Sequence, residues 1–293
     1  MKSLGYRLAS HISPRATTFP DLAVGENCMI IEYNTIQPIA PLATGAAVSF
    51  AGCAVEVVSV RLDAEPASLD ELSQCLSDEE RLRASRFVFE RDRHRFIVGR
   101  ARLRHLLASR LGVQPDAVEL VYGPRGKPVL SRRFADAALY FNVSHSWDVA
   151  VYGFSRGREI GVDVEAVREL RDADDIAARF FSRRENEAYL DLEPRDKLLG
   201  FFNCWTRKEA FIKALGDGLY HPLDRFDVSL TPGGPAKILR VENTPGDECG
   251  WCLNSFSPAP GFVAAVVTEN RKHRYGSATY SSPHSASSIG YSS

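Results

Sequence analysis

The sequence predicts an α+β fold built from two similar α/β lobes that are related by a pseudo-twofold axis. Two observations support this prediction. The chain has 293 residues, enough for two compact units of roughly 100 residues each, and it repeats one order of elements, a strand followed by helices and then by further strands. We assign the first lobe to residues 53–157 and the second to residues 158–270. An N-terminal extension (1–52) precedes them, and a serine-rich tail (271–293), which we expect to be disordered, follows them.

The first lobe begins with a strand, AVEVVSVRLD, that starts at Ala54. Helices follow. Ser68 is expected to cap the first of them, because Glu71 stands three residues later in a capping-box pattern, and Gly112 is expected to end the last. Two hairpin patterns complete the lobe, AVELVYGPRGKPVL with a glycine turn and LYFNVSHSWDVAVYGFS with SWD near the bend.

The second lobe repeats this order of elements. It begins with the strand IGVDVEAV, is mostly helical over residues 173–217, and ends with the strands FDVSL, GWCLNSFS and GFVAAVV. The identity between the two halves is low, so the repeat is one of pattern and not of sequence.

The composition is that of an ordinary globular protein, with 44% hydrophobic residues, 25% charged residues and a formal net charge of −1. This balance gives no overall attraction to nucleic acid or to membranes, so neither is expected as a partner. The most apolar run, TGAAVSFAGCAVEVVSV, is too short for a membrane span and contains Glu56. Six cysteines without a disulfide-framework spacing, and no secretory signal, predict a cytoplasmic location.

Three acidic residues stand out because of their surroundings. Strand alternation places Asp163 and Glu165 on one face of IGVDVEAV, and a polar strand face in water is the simplest interpretation of that pattern alone. Glu209 lies in the apolar stripe of its helix with Lys213 one turn later, and a solvated i,i+4 pair is the alternative there. A buried carboxylate must be neutral, paired or bound to a cation. If Glu209 meets the face that carries Asp163 and Glu165, the all-oxygen ligand set favours Mg²⁺.

A strongly basic segment lies in the helices of the first lobe. It carries only two acids, Glu90 and Asp92, and ten arginines, which are at positions 81, 83, 86, 91, 93, 95, 100, 102, 104 and 110. A solvated helix face accounts for some of them. The functional interpretation is a phosphate site, because arginine binds phosphate with bidentate geometry.

Two further segments add candidate phosphate ligands. Lys127 lies in the turn YGPRGKP, which lacks the spacing of a Walker loop and by itself is typical of a plain β-turn. Ser144 and His145 are neighbours in FNVSHS and point to opposite faces of a strand, so they are poorly placed as a nucleophile and its base. A histidine that donates to phosphate fits better, with a structural histidine as the alternative. Jointly, these groups describe a polyphosphate site with Mg²⁺ and a lysine beside it, as phosphoryl-type transfer requires.

Two motifs resemble the paired signature of the 4′-phosphopantetheinyl transferases. GVDVE and, some forty residues later, WTRKEAFIKALGDGL are similar to the family patterns (I/V)G(V/I)D(I/V)E and (F/W)xxKE(A/S)xxK. The upstream segments GKP, FNVSHS and RFFSRRE also match. The pattern is that of the larger, two-lobed members that activate polyketide and non-ribosomal peptide synthetases, whose active site lies at the interface between the lobes. The resemblance covers roughly residues 54–268.

The resemblance implies a reaction in which the phosphopantetheine arm of coenzyme A moves to a serine of an apo acyl or peptidyl carrier protein, with release of adenosine 3′,5′-bisphosphate. Carried over residue by residue, it implies that Asp163, Glu165 and Glu209 hold Mg²⁺. It further implies that Glu209 can act as the base on the carrier serine, directly or through a water. Lys213 would stabilise or protonate the departing phosphate.

The resemblance also implies a site for coenzyme A. His145 and Lys127 would bind its phosphates, Ser144 and the YGPRGK backbone would lie around the nucleotide, and Arg83 and Arg95 match positions near the 3′-phosphate. In addition, about where the family has a lysine this chain has Glu80, so one phosphate contact is expected to be missing.

Two fused lobes would provide the whole site within one chain, so a monomer is expected. Two other functions remain open at this stage. A nucleic-acid binder would use the arginine-rich helices, would bind with a steep salt dependence and would need neither Asp163 nor Glu209. A non-catalytic relative would bind coenzyme A or carrier protein without transfer, although Asp163, Glu209 and Lys213 are all present.

Overall fold

The computed structural model describes residues 47–50, 53–63, 66–123, 126–216, 222–242 and 250–270. Most of the predicted N-terminal extension and the whole of the predicted disordered tail lie outside these residues.

The described residues form eleven strands and six α-helices. The strands are β1 (Ala47–Phe50), β2 (Cys53–Arg61), β3 (Leu120–Tyr122), β4 (Pro128–Leu130), β5 (Leu139–Ser146), β6 (Val149–Arg156), β7 (Ile160–Ala166), β8 (Phe226–Val228), β9 (Ile238–Val241), β10 (Trp251–Phe256) and β11 (Phe262–Glu269). The helices are α1 (Pro66–Gln74), α2 (Asp78–Ser85), α3 (Glu90–Leu111), α4 (Ala173–Phe180), α5 (Arg183–Leu190) and α6 (Pro194–Leu215).

Two antiparallel sheets form the centre of the molecule. One has the strand order β1-β2-β6-β5 and the other has the order β10-β11-β7. The two sheets share one pattern of pairing. In the first sheet β2 pairs with β6, and β6 pairs with β5. In the second sheet β7 pairs with β11, and β11 pairs with β10. The predicted mixed fold of helices and antiparallel strands is confirmed, and the predicted hairpins β3–β4 and β5–β6 are present.

Three apolar clusters show how these layers stack. The first cluster packs α1 and α3 against β2, β5 and β6. The second fills the space between the facing sides of the two sheets, with residues of β2 and β6 on one side and of β7 and β11 on the other. The third surrounds α6 on the outer side of β7 and β11. The order of layers is therefore helix, sheet, sheet and helix.

This layering corrects one interpretation of β7. The alternation of Ile160, Val162 and Val164 with Asp163 and Glu165 suggested an edge strand with its polar side in water. All seven residues of β7 are buried instead. The apolar residues face the other sheet, and the acids lie on the opposite face, towards α6.

The first helix begins earlier than predicted, and two strands were missed. Helix α1 already includes Pro66, so it begins before Ser68, the predicted cap. Strand β1 pairs with β2 and lies within the predicted N-terminal extension, so the first sheet reaches further towards the N-terminus than residue 53. Strand β9, which pairs with β8, was also missed.

The helices of the two lobes share several details. Helices α3 and α6 each have 22 residues and end at a left-handed glycine, Gly112 (as predicted) or Gly216. The short helix before each begins with a capping box, formed by a serine and the glutamate three residues later. That glutamate is buried against a basic residue at the same position of the long helix. The two pairs are Glu80–Arg104 in the first lobe and Glu185–Lys208 in the second, at 2.6 Å and 2.7 Å.

Lys208→Met is expected to lower the free energy of unfolding by about 3 kcal/mol, because the carboxylate of Glu185 would remain buried without its cation. The Lys208 ammonium also donates to the carbonyl of Phe226 (2.7 Å). Urea denaturation measures the change. Arg183→Met, which breaks an exposed ion pair on α5, is the matched control and should shift the value by less than about 1 kcal/mol. Equal effects of the two substitutions would contradict the prediction.

Candidate functional site

Strands β5 and β7 lie side by side where the two sheets meet, and side chains of β5 connect them. The amide oxygen of Asn142 accepts a hydrogen bond from the backbone N–H of Val162 (3.0 Å), and Ser146 Oγ accepts one from the N–H of Ala166 (3.2 Å). Both bonds join residues that are 20 positions apart, so the strands run parallel here. We call this contact the β5–β7 seam. Side-chain groups replace a backbone ladder along it.

The β5–β7 seam orients two of the predicted acids. Ser144 Oγ donates a hydrogen bond to Asp163 Oδ1 (2.8 Å), and Ser146 Oγ donates one to Glu165 Oε2 (2.9 Å). The guanidinium of Arg168 lies 3.6 Å from the same oxygen of Glu165. The structure therefore brings Ser144 and both acids together where the two sheets meet.

Helix α6 approaches β7 most closely at Gly161, where the strand has no side chain. A Cβ at this position would lie 2.0 Å from the carbonyl oxygen of Ala210 and 2.4 Å from the backbone nitrogen of Ala214. Only glycine allows this contact between two backbones. It sets the depth at which α6 presents Glu209 and Lys213 to the acids of β7.

The ammonium of Lys213 is fully engaged at the β5–β7 seam. Its Nζ donates hydrogen bonds to Asp163 Oδ1 (2.6 Å), Ser144 Oγ (3.0 Å) and the carbonyl of Val162 (3.2 Å). Burial by itself would lower the pKa of Lys213, but the charges of Asp163 and Glu209 outweigh it and raise the pKa. Lys213 is therefore a stable cation in the site.

The three predicted metal ligands form a buried and under-neutralised group. Asp163, Glu165 and Glu209 are 4%, 9% and 8% exposed. Burial, followed by the charge of Asp163, raises the pKa of both Glu165 and Glu209 to about 7. Asp163 Oδ2 is buried without a hydrogen-bond partner. Within the described residues, however, no three His, Cys, Asp or Glu side chains are arranged closely enough to hold a metal ion as they stand.

Raising the pH from about 5 to about 8 without divalent cations is expected to lower thermal stability. Glu165 and Glu209 hold their protons up to about pH 7 in the folded protein, against an ordinary value of 4.5. The stability that comes from these protons is complete below that ordinary value and is lost as the pH rises through about 7. Melting temperatures across this range provide the test.

The variant Glu209→Gln separates this effect from other titrating groups. Its melting temperature, measured at intervals of about one pH unit, should fall less steeply between pH 5 and 8 than that of the wild type. Identical pH profiles of the two proteins would contradict the raised pKa of Glu209.

Lys127 reaches the site from the β3–β4 hairpin, with an unexpected partner. Its Nζ donates a hydrogen bond to the backbone carbonyl of Lys213 (2.9 Å), near the C-terminus of α6, and lies 3.6 Å from the carboxylate of Glu159. A cation is favourable at this end of a helix. Lys127 thus connects the first lobe to α6, within reach of the predicted phosphate site.

The remaining predicted residues lie on the first-lobe side of the site. Desolvation of the imidazole, followed by the charges of Lys213 and Arg95, lowers the pKa of His145. The guanidinium of Arg95 donates to Asp63 Oδ1 (3.2 and 3.1 Å). Arg83 is exposed, with its guanidinium 5.3 Å from the centre of the Phe96 ring. No ion pair among the described residues joins Arg83 to the carboxylates.

Two arginines of the basic segment make contacts inside the protein and stabilise the fold. Arg104 is buried and donates to Glu80 and to two backbone carbonyls. Arg110 pairs with Glu56 across the first lobe and lies over the ring of Phe154. Glu80 stands about where the family has a lysine. Here its carboxylate is buried in an ion pair with Arg104 and does not face a phosphate.

Sequence reasoning missed two residues of β5, Asn142 and Ser146, and also Arg168. A signal for the first two was present. In FNVSHS, the asparagine and the two serines recur at every second position, which places three small polar side chains on one face of a strand. Such a face suits contact with another polar strand edge.

None of the helices in the described ranges is both long enough and apolar enough to cross a membrane.

Comparison with known proteins identifies the family. Residues 63–154 match the family described as 4′-phosphopantetheinyl transferase, N-terminal, and residues 159–267 match the 4′-phosphopantetheinyl transferase superfamily. The 4′-phosphopantetheinyl transferase HetI of Nostoc sp. is 40% identical over 213 residues, which cover 73% of this chain and 86% of HetI. The transferase psf-1 of Bacillus pumilus is 31% identical over 200 residues, covering 68% of this chain and 82% of psf-1.

Sfp of Bacillus subtilis, also named a 4′-phosphopantetheinyl transferase, is 29% identical over 191 residues, which cover 65% of this chain and 81% of Sfp. A solved holo-[acyl-carrier-protein] synthase from Thermotoga maritima aligns with 38% of this chain and 62% of its own at 24% identity, with a TM-score of 0.29, too low to inform the fold. On the strength of the sequence relatives, this chain belongs to the 4′-phosphopantetheinyl transferase superfamily as an Sfp-like enzyme, which confirms the resemblance of its motifs.

Proposed function

We propose that this enzyme transfers the 4′-phosphopantetheine arm of coenzyme A to a serine hydroxyl of an apo acyl or peptidyl carrier protein and releases adenosine 3′,5′-bisphosphate. The observation that carries the proposal is the partly buried Lys213 ammonium beside the buried carboxylates of Asp163, Glu165 and Glu209 at the β5–β7 seam. The names of the related proteins support the same activity.

The chemistry of the three carboxylates suits a divalent metal ion, although their side chains would have to draw closer together to hold it. Asp163 Oδ2 is buried without a hydrogen-bond partner, and burial, followed by the charge of Asp163, raises the pKa of both Glu165 and Glu209, which supports a cation here. All the donors are oxygen, which favours Mg²⁺. We propose Asp163, Glu165 and Glu209 as its ligands, and Mg²⁺ bound there would neutralise the diphosphate of coenzyme A.

Two side chains of α6 move the protons in this proposal. Glu209 accepts the proton of the carrier serine, directly or through a water, as the serine oxygen bonds to the phosphorus that carries the pantetheine arm. The bond from this phosphorus to the adenosine-side oxygen breaks, and Lys213 donates a hydrogen bond or a proton to that oxygen.

The coenzyme A site is proposed on the first-lobe side of the β5–β7 seam. Lys127 and His145 bind phosphate groups, with Ser144 beside them. Arg95 and Arg83 extend the cationic surface towards the 3′-phosphate. The charges of Lys213 and Arg95 both act on His145, which supports a shared anion site for these residues.

We further propose that the chain acts as a cytoplasmic monomer whose lobes, residues 53–157 and 158–270, are related by a pseudo-twofold axis. The matching strand connectivity, the two 22-residue helices and the paired capping boxes support this relation. The two family matches also meet between residues 154 and 159. Because the β5–β7 seam lies between the lobes, one chain can supply every proposed residue.

Incubation of the purified protein with apo carrier protein, coenzyme A and Mg²⁺ tests the proposed function. We expect intact mass spectrometry to show the carrier gain one phosphopantetheine arm, and adenosine 3′,5′-bisphosphate to appear in equal amount. Chelation of the metal should stop the reaction. Tight binding of coenzyme A without transfer to any of several carrier types would show a non-catalytic relative and overturn the proposal.

A further inference from the structure

We propose that Lys213 and the divalent metal ion compete for Asp163, so that metal binding releases the lysine for its contact with phosphate. This inference rests on the proposed function and adds a coupling to it. Lys213 then has two tasks in succession: it is the counter-ion of Asp163 first and the phosphate ligand second.

The first step of the argument is a count of hydrogen-bond donors. A lysine ammonium has three N–H groups. All of them are used, on Asp163 Oδ1 (2.6 Å), Ser144 Oγ (3.0 Å) and the carbonyl of Val162 (3.2 Å). No N–H remains for a phosphate oxygen. Lys213 can therefore act on the departing phosphate only after it gives up at least one of these partners.

The second step concerns the acceptor that it gives up. Asp163 Oδ1 accepts hydrogen bonds from both Lys213 and Ser144, whereas Oδ2 is buried without a partner. A divalent cation on this carboxylate would lie within a few ångströms of the ammonium, where two positive charges repel strongly in a buried site. The same cation would neutralise the negative charge that now holds the lysine. Metal binding to Asp163 and retention of Lys213 there thus oppose each other.

The third step concerns what moves. The backbone of Lys213 is fixed, because Lys127 donates to its carbonyl oxygen (2.9 Å) and α6 packs against Gly161. The side chain is a flexible four-carbon stem. The release is therefore a rotation of one side chain, and helix α6 stays in place.

The competition predicts that loss of Lys213 changes the metal affinity in an unusual direction. Removal of a residue next to a metal site commonly weakens metal binding, but removal of Lys213 should strengthen it while transfer is lost. By linkage, the wild-type enzyme uses part of its metal-binding free energy to displace the lysine.

Calorimetric titration with Mg²⁺ alone, in the absence of coenzyme A, tests this sign. Lys213→Met should bind Mg²⁺ about tenfold more tightly than the wild type. Lys197→Met is the control, because it removes an equal charge from the same helix without contacting Asp163 or the backbone of Lys213, and its affinity should change less than about threefold. If Lys213→Met does not fold without metal, Lys213→Gln removes the charge but keeps a donor, and it should shift the affinity in the same direction.

Chemical labelling of the wild-type protein gives a second readout that needs no variant. Acetylation of Lys213, followed by peptide mass spectrometry, should become severalfold faster when Mg²⁺ is added, because the ammonium loses its carboxylate partner. Lys127 in the same digest is the internal reference. Unchanged labelling of Lys213, or equal or weaker Mg²⁺ binding by both Lys213 variants, overturns the proposal.

The two proposals fail in different ways. If Mg²⁺ binds neither the wild type nor the variants, the competition and the proposed metal site are both wrong. If the Lys213 effect is found but no carrier protein is modified by the wild type, the proposed transfer is wrong and the competition stands.

Discussion

Glu209→Gln is expected to keep the fold and to lower kcat/KM for carrier modification at least about a hundredfold. The amide has nearly the same shape as the acid, so it fits the same buried position. It cannot take a proton from the carrier serine, and it is a poorer ligand for Mg²⁺. Since the carboxylate is buried among other acids, its removal should leave the free energy of unfolding unchanged or higher at pH 8.

A coupled assay of coenzyme A consumption and a thermal melt measure the two parts of this prediction. Glu187→Gln, on the exposed side of α5, is the matched control and should retain wild-type turnover. Full activity of Glu209→Gln would contradict both the base and the ligand role. Loss of activity together with loss of folding would instead show a structural role.

Gly161→Ala is expected to lower the free energy of unfolding by about 3 kcal/mol and to reduce turnover as well. The new methyl group would overlap the carbonyl oxygen of Ala210 at 2.0 Å and the nitrogen of Ala214 at 2.4 Å. Backbone atoms cannot turn away as a side chain can, so α6 must move outward. Lys213 would then lose its close position over Asp163.

Gly99→Ala is the matched control for this substitution. It lies within α3, and a Cβ there would meet its nearest neighbours, Leu62 and Tyr152, at 3.4 and 3.6 Å, which are ordinary contacts. Because alanine favours helices, Gly99→Ala should leave stability unchanged or raise it by up to about 1 kcal/mol. Urea denaturation of both variants, with turnover measured alongside, provides the comparison. Wild-type stability of Gly161→Ala would refute the close packing of α6 on β7.

Local patterns predicted much of the fold. The order of strand, helices and strands was readable in both halves, because period-two and helical patterns with glycine ends are encoded over short stretches. The apolar surroundings of Glu209 were also predicted, and Phe202, Trp205 and Ile212 are buried in the same cluster around α6. The pairing of Glu209 with Lys213 on one helix face followed from helical geometry alone.

The parts that were missed depend on contacts between distant segments. The sequence of β7 looks half-exposed, yet the strand is buried on both faces because α6 covers its acids. For the same reason Lys208 appears to be a surface residue in the sequence but pairs with Glu185 inside the second lobe. No local pattern specifies that Lys213 meets Asp163 and Ser144, since that contact joins three elements from two lobes.

The β5–β7 seam has a mechanical consequence. Two of the proposed metal ligands also take part in the hydrogen bonds between the sheets. Ser144 and Ser146 of one sheet donate to Asp163 and Glu165 of the other. Any change in the charge of these acids during a reaction cycle therefore also changes the strength of the hydrogen bonds that link the two sheets.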